Sequence, residues 1–226
     1  MTHVSYCTTC KGRLWQLEQT LPINIKLANE DIEIVLLDYH SQDGLREYIL
    51  ENYQEYLADG RLRYYRLITD IKGFDMAYAK HIAHMLGEGR VLFNLDADNF
   101  IGVSIPELMT LPPSSLLVAN KIVGTATSRG GRIGMSKSDY VKIGGYNTAM
   151  LGMFGDDGEL VGRCLKKGMS LKMSKDRSIP IQQDEDYKHI HVIPREAGFR
   201  FPKVVELEDY LGRSVQQHLS LRGSNI

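Results

Sequence analysis

The chain has 226 residues, of which 43% are hydrophobic and 24% are charged, a composition typical of a globular protein with a sizeable core. Lys and Arg number 27 against 28 Asp and Glu, so the sequence offers no basic field that would hold nucleic acid. No apolar run approaches the roughly 20 residues of a membrane span, and no secretory signal pattern is present, so we expect one cytoplasmic domain.

Strands and helices are predicted to alternate at short intervals through the first half of the chain. The predicted strands cover residues 4–9, 32–37, 62–67 and 91–95, and the predicted helices run from 14 to Pro22, from 45 through Leu57, and from 75 to 86. The strands at 32–37 and 91–95 are almost continuously apolar, which favours parallel strands covered on both faces. We therefore predict an α/β fold with a mostly parallel twisted sheet flanked by helices, and ligands at the carboxyl ends of its strands.

The second half of the chain is less regular. The prediction there is a strand at 116–119, a helix capped by Ser136 and stopped by Gly144, a helix at 157–167, a strand near Leu171, and an amphipathic helix in the tail at 202–226. Residues 125–134 form a Gly-, Ser- and Arg-rich stretch without periodicity, which is typical of a lid. Arg129 and Arg132 within it are candidates to approach a bound phosphate.

Two carboxylates follow the apolar strand at 91–95. Asp96 and Asp98 stand one residue apart in the turn Asp96-Ala97-Asp98. Carboxylate oxygens are hard ligands that suit Mn²⁺ or Mg²⁺, and such an ion can bridge to a diphosphate. An alternative is a solvated turn, because Asp and Asn are common after strands.

Four motifs occur in the same order and at similar separations as in a known enzyme family. They are Thr9-Cys10-Lys11-Gly12-Arg13, Asp38-Tyr39-His40-Ser41-Gln42-Asp43-Gly44, Asp96-Ala97-Asp98, and Gly144-Gly145-Tyr146 with Gly155-Asp156-Asp157-Gly158-Glu159-Leu160 and Arg163. Over roughly residues 4–175 the chain resembles a family 2 glycosyltransferase. The resemblance implies the GT-A fold, with a nucleotide-sugar-binding half at about 1–100 and an acceptor and catalytic half at about 101–201.

The resemblance also implies the ligands. They are a nucleoside-diphosphate sugar, most simply UDP-linked, a saccharide or other hydroxyl acceptor, and Mn²⁺ or Mg²⁺. The residues it places at the donor are Thr9, Arg13, Asp38, Asp43, Lys80 and Asp96. Carboxylates after the second strand can accept hydrogen bonds from a base N–H and from ribose hydroxyls, but they can equally cap their own loop. Lys80 would lie near the diphosphate, although a solvated helix lysine is the alternative.

The catalytic role falls on the acidic pair Asp156-Asp157. In the family that the chain resembles, the second acid is the general base, so Asp157 would take the proton from the acceptor hydroxyl and Asp156 would bind acceptor or sugar hydroxyls. A single displacement by that base implies inversion at the anomeric carbon. The alternative is an acidic first turn of a helix, whose positive end favours carboxylates.

Imidazoles further along could complete a metal site. The proposed ligands are Asp98 and Asp96, joined by His191 or His189, which face one side if their segment is a strand. A surface histidine pair is the alternative.

Three other functions compete with sugar transfer. Cys7-Thr8-Thr9-Cys10, between a strand and a helix, also describes a thioredoxin-like redox site, although an odd count of three cysteines favours reduced thiols. A sugar-phosphate nucleotidyltransferase would use a similar acidic turn, but its opening loop is Gly-rich and this one has only Gly12. An inactive relative that keeps the scaffold is the third.

Overall fold

The computed structural model describes residues 2–68, 74–119, 131–150, 155–181 and 204–219, which build a nine-stranded sheet with helices on both faces. The strands are β1 (Val4–Cys10), β2 (Ile32–Asp38), β3 (Leu62–Leu67), β4 (Val91–Asn94), β5 (Ser115–Val118), β6 (Ile133–Ser136), β7 (Ser170–Met173), β8 (Val204–Asp209) and β9 (Ser214–His218). The helices are α1 (Leu14–Asn24), α2 (Leu45–Asn52), α3 (Gln54–Ala58), α4 (Met76–Leu86), α5 (Ser104–Met109), α6 (Lys137–Ile143) and α7 (Asp156–Lys166). None of the helices in these ranges is long and apolar enough to cross a bilayer.

The centre of the sheet is parallel and its two flanks are mixed. The strand order is β7-β5-β6-β4-β1-β2-β3-β8-β9. The four strands β4, β1, β2 and β3 pair in parallel, as their apolar sequences predict. β6 is antiparallel to both β4 and β5, and β8 and β9 add an antiparallel hairpin next to β3. β7 pairs in parallel with β5 at one outer edge. The predicted parallel α/β core is therefore confirmed, and the mixed flanks are additions to it.

The sheet separates two hydrophobic cores. One core lies on the α4 side and contains Cys7, and the other lies on the α1 side and contains Cys10. Residues three apart on a strand point to opposite faces, so these two thiols cannot bridge without breaking β1. Both are free and buried, and burial raises the pKa of each thiol. The redox interpretation of Cys7-x-x-Cys10 is wrong for this physical reason.

Two predicted helix boundaries are also wrong. Pro22 does not end α1, which continues to Asn24 and a short 3-10 turn at Ile25–Leu27. Proline removes one backbone bond, but Asn24 compensates by binding the Asn99 carbonyl at 2.9 Å and the Ile101 N–H at 2.9 Å. The predicted helix through Leu57 is split into α2 and α3 at Tyr53, whose ring is only 5% exposed. Tertiary contacts decided both boundaries.

The tail is a β-hairpin rather than a helix. Val205 and Leu207 alternate with more exposed neighbours along β8, and both pack into the α4-side core. β8 pairs with β3, and Glu208 forms an ion pair with Arg46 at 2.9 Å. The period of two in Val205-Glu206-Leu207-Glu208 is the strand signal that the helix prediction overlooked.

β6 was also missed, because it begins inside the stretch that lacks periodicity. Gly134, predicted to belong to a loop, pairs with Phe93 of β4 and Leu117 of β5. The remainder of the predicted lid, at 125–130, lies outside the described residues. The caps at Ser136 and Gly144 are confirmed, since the Ser136 hydroxyl accepts from the Asp139 N–H and Gly144 is left-handed at φ 88°.

Candidate functional site

The carboxyl ends of three parallel strands meet at one edge of the sheet. Cys10 pairs with Asp38, which ends β2, and Cys7 pairs with Asn94, which ends β4. Thr9 and Asp96 each follow the paired residues Cys7 and Asn94 by two positions, so they lie at a similar level of this edge. Parallel strands bring their ends to the same side, so Asp38 and Asp96 lie at the strand ends that the sequence predicted for them, and Thr9 lies beside them.

The Lys80 ammonium of α4 lies within 4.0 Å of three carboxylates at this edge. Its Nζ lies 2.8 Å from Asp157 Oδ1, 3.0 Å from Asp156 Oδ2 and 4.0 Å from Asp96 Oδ1. The lysine side chain is 2% exposed, and Nζ also lies 5.4 Å from the centre of the Tyr146 ring. We call Lys80, Asp96, Asp156 and Asp157 the Lys80 cluster. It joins residues that the sequence analysis assigned separately to donor, metal, acceptor and catalysis.

The charges of the Lys80 cluster do not balance. Burial lowers the pKa of Lys80, but the carboxylates of Asp96, Asp157 and Asp156 raise it, and the net shift is upward. Lys80 is therefore an ammonium at neutral pH. Burial raises the pKa of Asp96 and of Asp156, with Lys80 opposing and Asp157 adding to that shift. Three acids against one ammonium leave an excess of negative charge that a further cation would relieve.

The two acids at the start of α7 differ in exposure. The Asp156 side chain is 5% exposed and bonded to Lys80, whereas the Asp157 side chain is 24% exposed. The Tyr146 hydroxyl donates to Asp157 Oδ1 at 3.2 Å. Asp157 is thus the more exposed acid of this pair, while Asp156 is buried against the lysine.

Arg163 holds the Gly144-Gly145-Tyr146 segment against this site. Its guanidinium donates to the Ile143 carbonyl and to the Gly145 carbonyl, each at 2.6 Å. Gly145 has φ 64°, and a Cβ there would overlap the His81 ring. These residues belong to one of the four sequence motifs, and in the structure they position Tyr146 beside Asp157.

Asp96 and Asp98 have different surroundings. The Asp96 side chain is 27% exposed, and its Oδ1 accepts a hydrogen bond from the Asn94 amide at 2.9 Å. Asp98 is 4% exposed, and its Oδ1 accepts from the Asn99 amide at 2.6 Å. Asp96, rather than Asp98, is therefore the acid of the turn that belongs to the Lys80 cluster. The assignment of Asp98 and Asp96 as metal ligands stays a prediction.

Gly131 keeps a space open beside these carboxylates. A Cβ at Gly131 would overlap Asp96 Oδ2 and would lie 3.2 Å from both Asn94 Nδ2 and Asp157 Oδ2. Asn94 fixes the segment by donating to the Gly131 carbonyl at 2.7 Å. Neither residue was predicted from the sequence as part of the site, although Asn94 is the polar residue of an otherwise apolar strand and is a signal that could have indicated it.

Asp38 holds its own loop in place. It is fully buried, and it accepts hydrogen bonds from the Ser41 N–H at 2.6 Å and from the Tyr64 hydroxyl at 2.7 Å. Arg66 lies 3.7 Å away, and burial raises the pKa of Asp38 in spite of these partners. The loop-capping alternative therefore describes the contacts of Asp38.

Asp43 joins the loops that follow β1 and β2. Its Oδ2 accepts from the N–H of Leu14, the first residue of α1, at 2.8 Å, and its buried Oδ1 has no hydrogen-bond partner among the described residues. Arg13 lies next to this contact and donates to Gln16 Oε1 at 3.3 Å. Arg13 and Asp43 thus border the same edge as Thr9.

One arginine candidate of the predicted lid is buried, and the other lies outside the described residues. Arg132 is 1% exposed, forms an ion pair with Asp176 and donates to the Phe100 carbonyl, so its guanidinium already has protein partners and its approach to a phosphate stays a prediction. Arg129 lies outside the described residues.

The metal ligands predicted beyond the acidic turn, His189 and His191, also lie outside the described residues. Within the described ranges, no group of three or more His, Cys, Asp or Glu side chains is arranged to hold a metal ion.

Comparisons with known proteins support a glycosyltransferase scaffold. A family model described as the N-terminal domain of galactosyltransferase matches residues 119–191. TarS from S. aureus, residues 1–349, superposes with a TM-score of 0.60 at 11% identity, covering 79% of this chain and 60% of that one. A search of curated proteins found no match.

Two further solved structures have the same fold. The mannosyltransferase PcManGT from Pyrobaculum calidifontis, in complex with GDP-Man and Mn²⁺, gives a TM-score of 0.60 at 18% identity over 77% of this chain and 55% of that one. GalNAc-T7 with UDP, GalNAc and Mn²⁺ gives 0.58 at 17% identity over 76% and 42%. The chain thus has the GT-A fold, and it spans less than two thirds of the length of these structures.

Proposed function

We propose that this chain transfers a sugar from a nucleoside-diphosphate sugar to an acceptor hydroxyl. The observation that carries the proposal is the Lys80 cluster, which gathers one ammonium and three carboxylates at the carboxyl edge of a parallel sheet. Ligands of such sheets bind at this edge. Transfer of a sugar from a diphosphate needs a cationic group at the leaving phosphate and a base at the acceptor, and the cluster contains both kinds of group.

The proposed donor is a UDP-sugar. TarS has been solved with UDP-GlcNAc and with UDP, and GalNAc-T7 with UDP, which supports uridine as the base. We assign the nucleoside to the edge bordered by Thr9, Arg13 and Asp43. The buried Asp43 Oδ1, which has no hydrogen-bond partner in the described part of the chain, is an acceptor suited to a base N–H or a ribose hydroxyl.

The residues present fit a divalent cation, Mn²⁺ or Mg²⁺. Asp96 offers a hard carboxylate oxygen, Oδ2, that faces the space left by Gly131, and the cluster carries excess negative charge. PcManGT and GalNAc-T7 were solved with Mn²⁺, which supports the same class of ion. Asp96 would hold the ion, with Asp98, His189 and His191 proposed as further ligands. When bound, it would offset the charge of the departing diphosphate.

The proposed general base is Asp157. The acceptor oxygen attacks the anomeric carbon and gives its proton to the Asp157 carboxylate, while the bond from that carbon to the phosphate oxygen breaks and the nucleoside diphosphate leaves. Tyr146 and Lys80 hold Oδ1, so Oδ2 is the oxygen proposed to take the proton. A single displacement of this kind inverts the anomeric centre. Because Asp156 is buried against Lys80, we assign it to positioning that lysine instead of binding the acceptor.

The test combines a donor panel with one variant. UDP-sugars are incubated with Mn²⁺ and a mixture of saccharide acceptors, and release of UDP is measured. Asp157→Asn should slow release at least about 100-fold, the scale of general-base catalysis, while UDP still stabilises the fold to heat. Asp59→Asn, at an exposed acid paired with Arg61 far from the cluster, is the control.

The outcomes separate the candidate functions. Unchanged UDP release by Asp157→Asn would contradict its role as the base. Exchange of pyrophosphate into a nucleotide sugar, without UDP release, would indicate a nucleotidyltransferase. UDP binding without either reaction, for every donor and acceptor in the panel, would indicate an inactive relative.

A further inference from the structure

A stripe of buried polar residues runs along α1. Gln16, Thr20 and Asn24 are spaced four residues apart, which places them on one side of the helix. Their exposed fractions are 1%, 1% and 3%. Buried polar side chains destabilise a protein unless they are hydrogen-bonded, so their partners show what the stripe does.

All three side chains donate hydrogen bonds to backbone carbonyls around the acidic turn. Thr20 Oγ1 donates to the Ala97 carbonyl at 2.7 Å, and Asn24 Nδ2 donates to the Asn99 carbonyl at 2.9 Å. Gln16 Nε2 donates to the Ile181 carbonyl at 3.2 Å. These contacts connect α1 to segments more than 70 residues away in the chain, as the separations of 77, 75 and 165 residues show.

The stripe completes the bonding of the turn backbone. The Asp96 carbonyl accepts from the Asn99 N–H at 2.9 Å, and the Asp98 carbonyl accepts from the Ile181 N–H at 2.8 Å. The Phe100 carbonyl accepts from Arg132. With Thr20 and Asn24, each carbonyl from Asp96 to Phe100 therefore has a donor. The peptide units that carry the acidic side chains cannot rotate without breaking one of these bonds.

Packing alone does not require a polar stripe. Leu17 and Leu21 already bury an apolar stripe of α1 in the core on that side of the sheet. Thr and Asn are poorer helix formers than the apolar residues that could replace them. The polar residues therefore favour one placement of the turn at some expense in helix propensity.

We infer that Gln16, Thr20 and Asn24 are positioning residues that hold the acidic turn, and with it the Asp96 carboxylate, in the orientation that binds a divalent cation and the donor diphosphate. The inference rests on the proposed function, because it assumes that the turn binds these ligands. It differs from a merely structural role in one respect. A substitution that removes a hydrogen bond of the stripe should weaken ligand binding more than a substitution on the same side of the sheet that destabilises the fold equally but leaves the stripe intact.

The test is Thr20→Val, which keeps the shape of the side chain and removes only the hydroxyl donor. The probe is Mn²⁺ with UDP, and the free Mn²⁺ signal in electron paramagnetic resonance reports the dissociation constant. We expect that constant to rise about tenfold, the lower end of the effect of removing a residue that orients a metal ligand, and Thr20→Ser to restore it. Ile25→Val, a buried residue next to the same helix, controls for lost stability.

Each result decides the inference. Wild-type affinity in Thr20→Val, or an equal loss in Ile25→Val, overturns the positioning role while the proposed function stands. If Thr20→Val does not fold, Gln16→Met provides the test through the Ile181 contact, and wild-type Mn²⁺ affinity there overturns the inference. If the wild type binds neither UDP nor Mn²⁺, the proposed function fails first and the inference fails with it.

Discussion

Lys80 provides the sharpest test of the electrostatics of the site. Lys80→Met keeps most of the buried stem and removes the ammonium, which leaves Asp96, Asp156 and Asp157 without their shared cation. Removing one partner of a fully buried ion pair costs about 3 to 5 kcal/mol. Asp96 and Asp157 are 27% and 24% exposed, so solvent lowers the cost to the bottom of that range, about 3 kcal/mol.

The pH dependence of that loss follows from the acids. Burial and mutual repulsion raise the folded-state pKa of Asp96 and of Asp156, and the variant lacks the lysine that opposes the shift. An acid whose pKa is higher in the folded than in the unfolded state lowers the free energy of unfolding once the pH exceeds its unfolded-state pKa. At lower pH the acid is protonated in both states, and this destabilisation disappears. The raised pKa of Lys80 itself contributes stability throughout this range, because Lys80 loses its proton only at strongly alkaline pH.

Urea unfolding at pH 5 and pH 8 measures the effect. The difference in unfolding free energy between the wild type and Lys80→Met should be larger at pH 8, and Mn²⁺ should recover more stability in the variant than in the wild type. Lys142→Met, at an exposed lysine of α6, should show neither effect. An equal loss at both pH values would refute the account of the cluster as an excess of buried negative charge.

Two further predictions concern the gap beside Asp96 and the cysteines. Gly131→Ala should raise the dissociation constant of Mn²⁺ with UDP about tenfold, because the added Cβ would overlap Asp96 Oδ2, while the melting temperature changes little. Calorimetric titration measures this constant, and an unchanged affinity would contradict the proposed cation position. All three cysteines are free and buried, and burial raises the pKa of each thiol: Cys7, Cys10 and Cys164. A thiol reagent at neutral pH should therefore label none of them until urea unfolds the chain. A pair of thiols that reacts quickly in the native protein would contradict the structure.

Local sequence patterns predicted the elements that depend on local physics. Ser136 caps α6 and Gly144 ends it, because a hydroxyl acceptor and a left-handed residue act within one turn of the helix. The apolar runs of β2 and β4 predicted parallel central strands, since such runs suit a strand covered on both faces. The tail was misassigned because an amphipathic strand and an amphipathic helix differ only in period, and residues 204–209 are too few to separate them by composition.

The sequence by itself determined the parallel core, the edge at which its strands end, and the residues that resemble a glycosyltransferase. Only the tertiary structure decided which of those residues meet. Lys80 reaches Asp156 and Asp157 across 76 and 77 residues of chain, and this contact depends on how α4 and α7 pack on the sheet. Hydrogen bonds and ion pairs of this kind act over a few ångströms, so an error of one helical turn in packing would separate the groups. For the same reason, only the tertiary structure showed that Asp38 bonds to Ser41 of its own loop and to Tyr64, and that Asp96, rather than Asp98, lies beside the lysine.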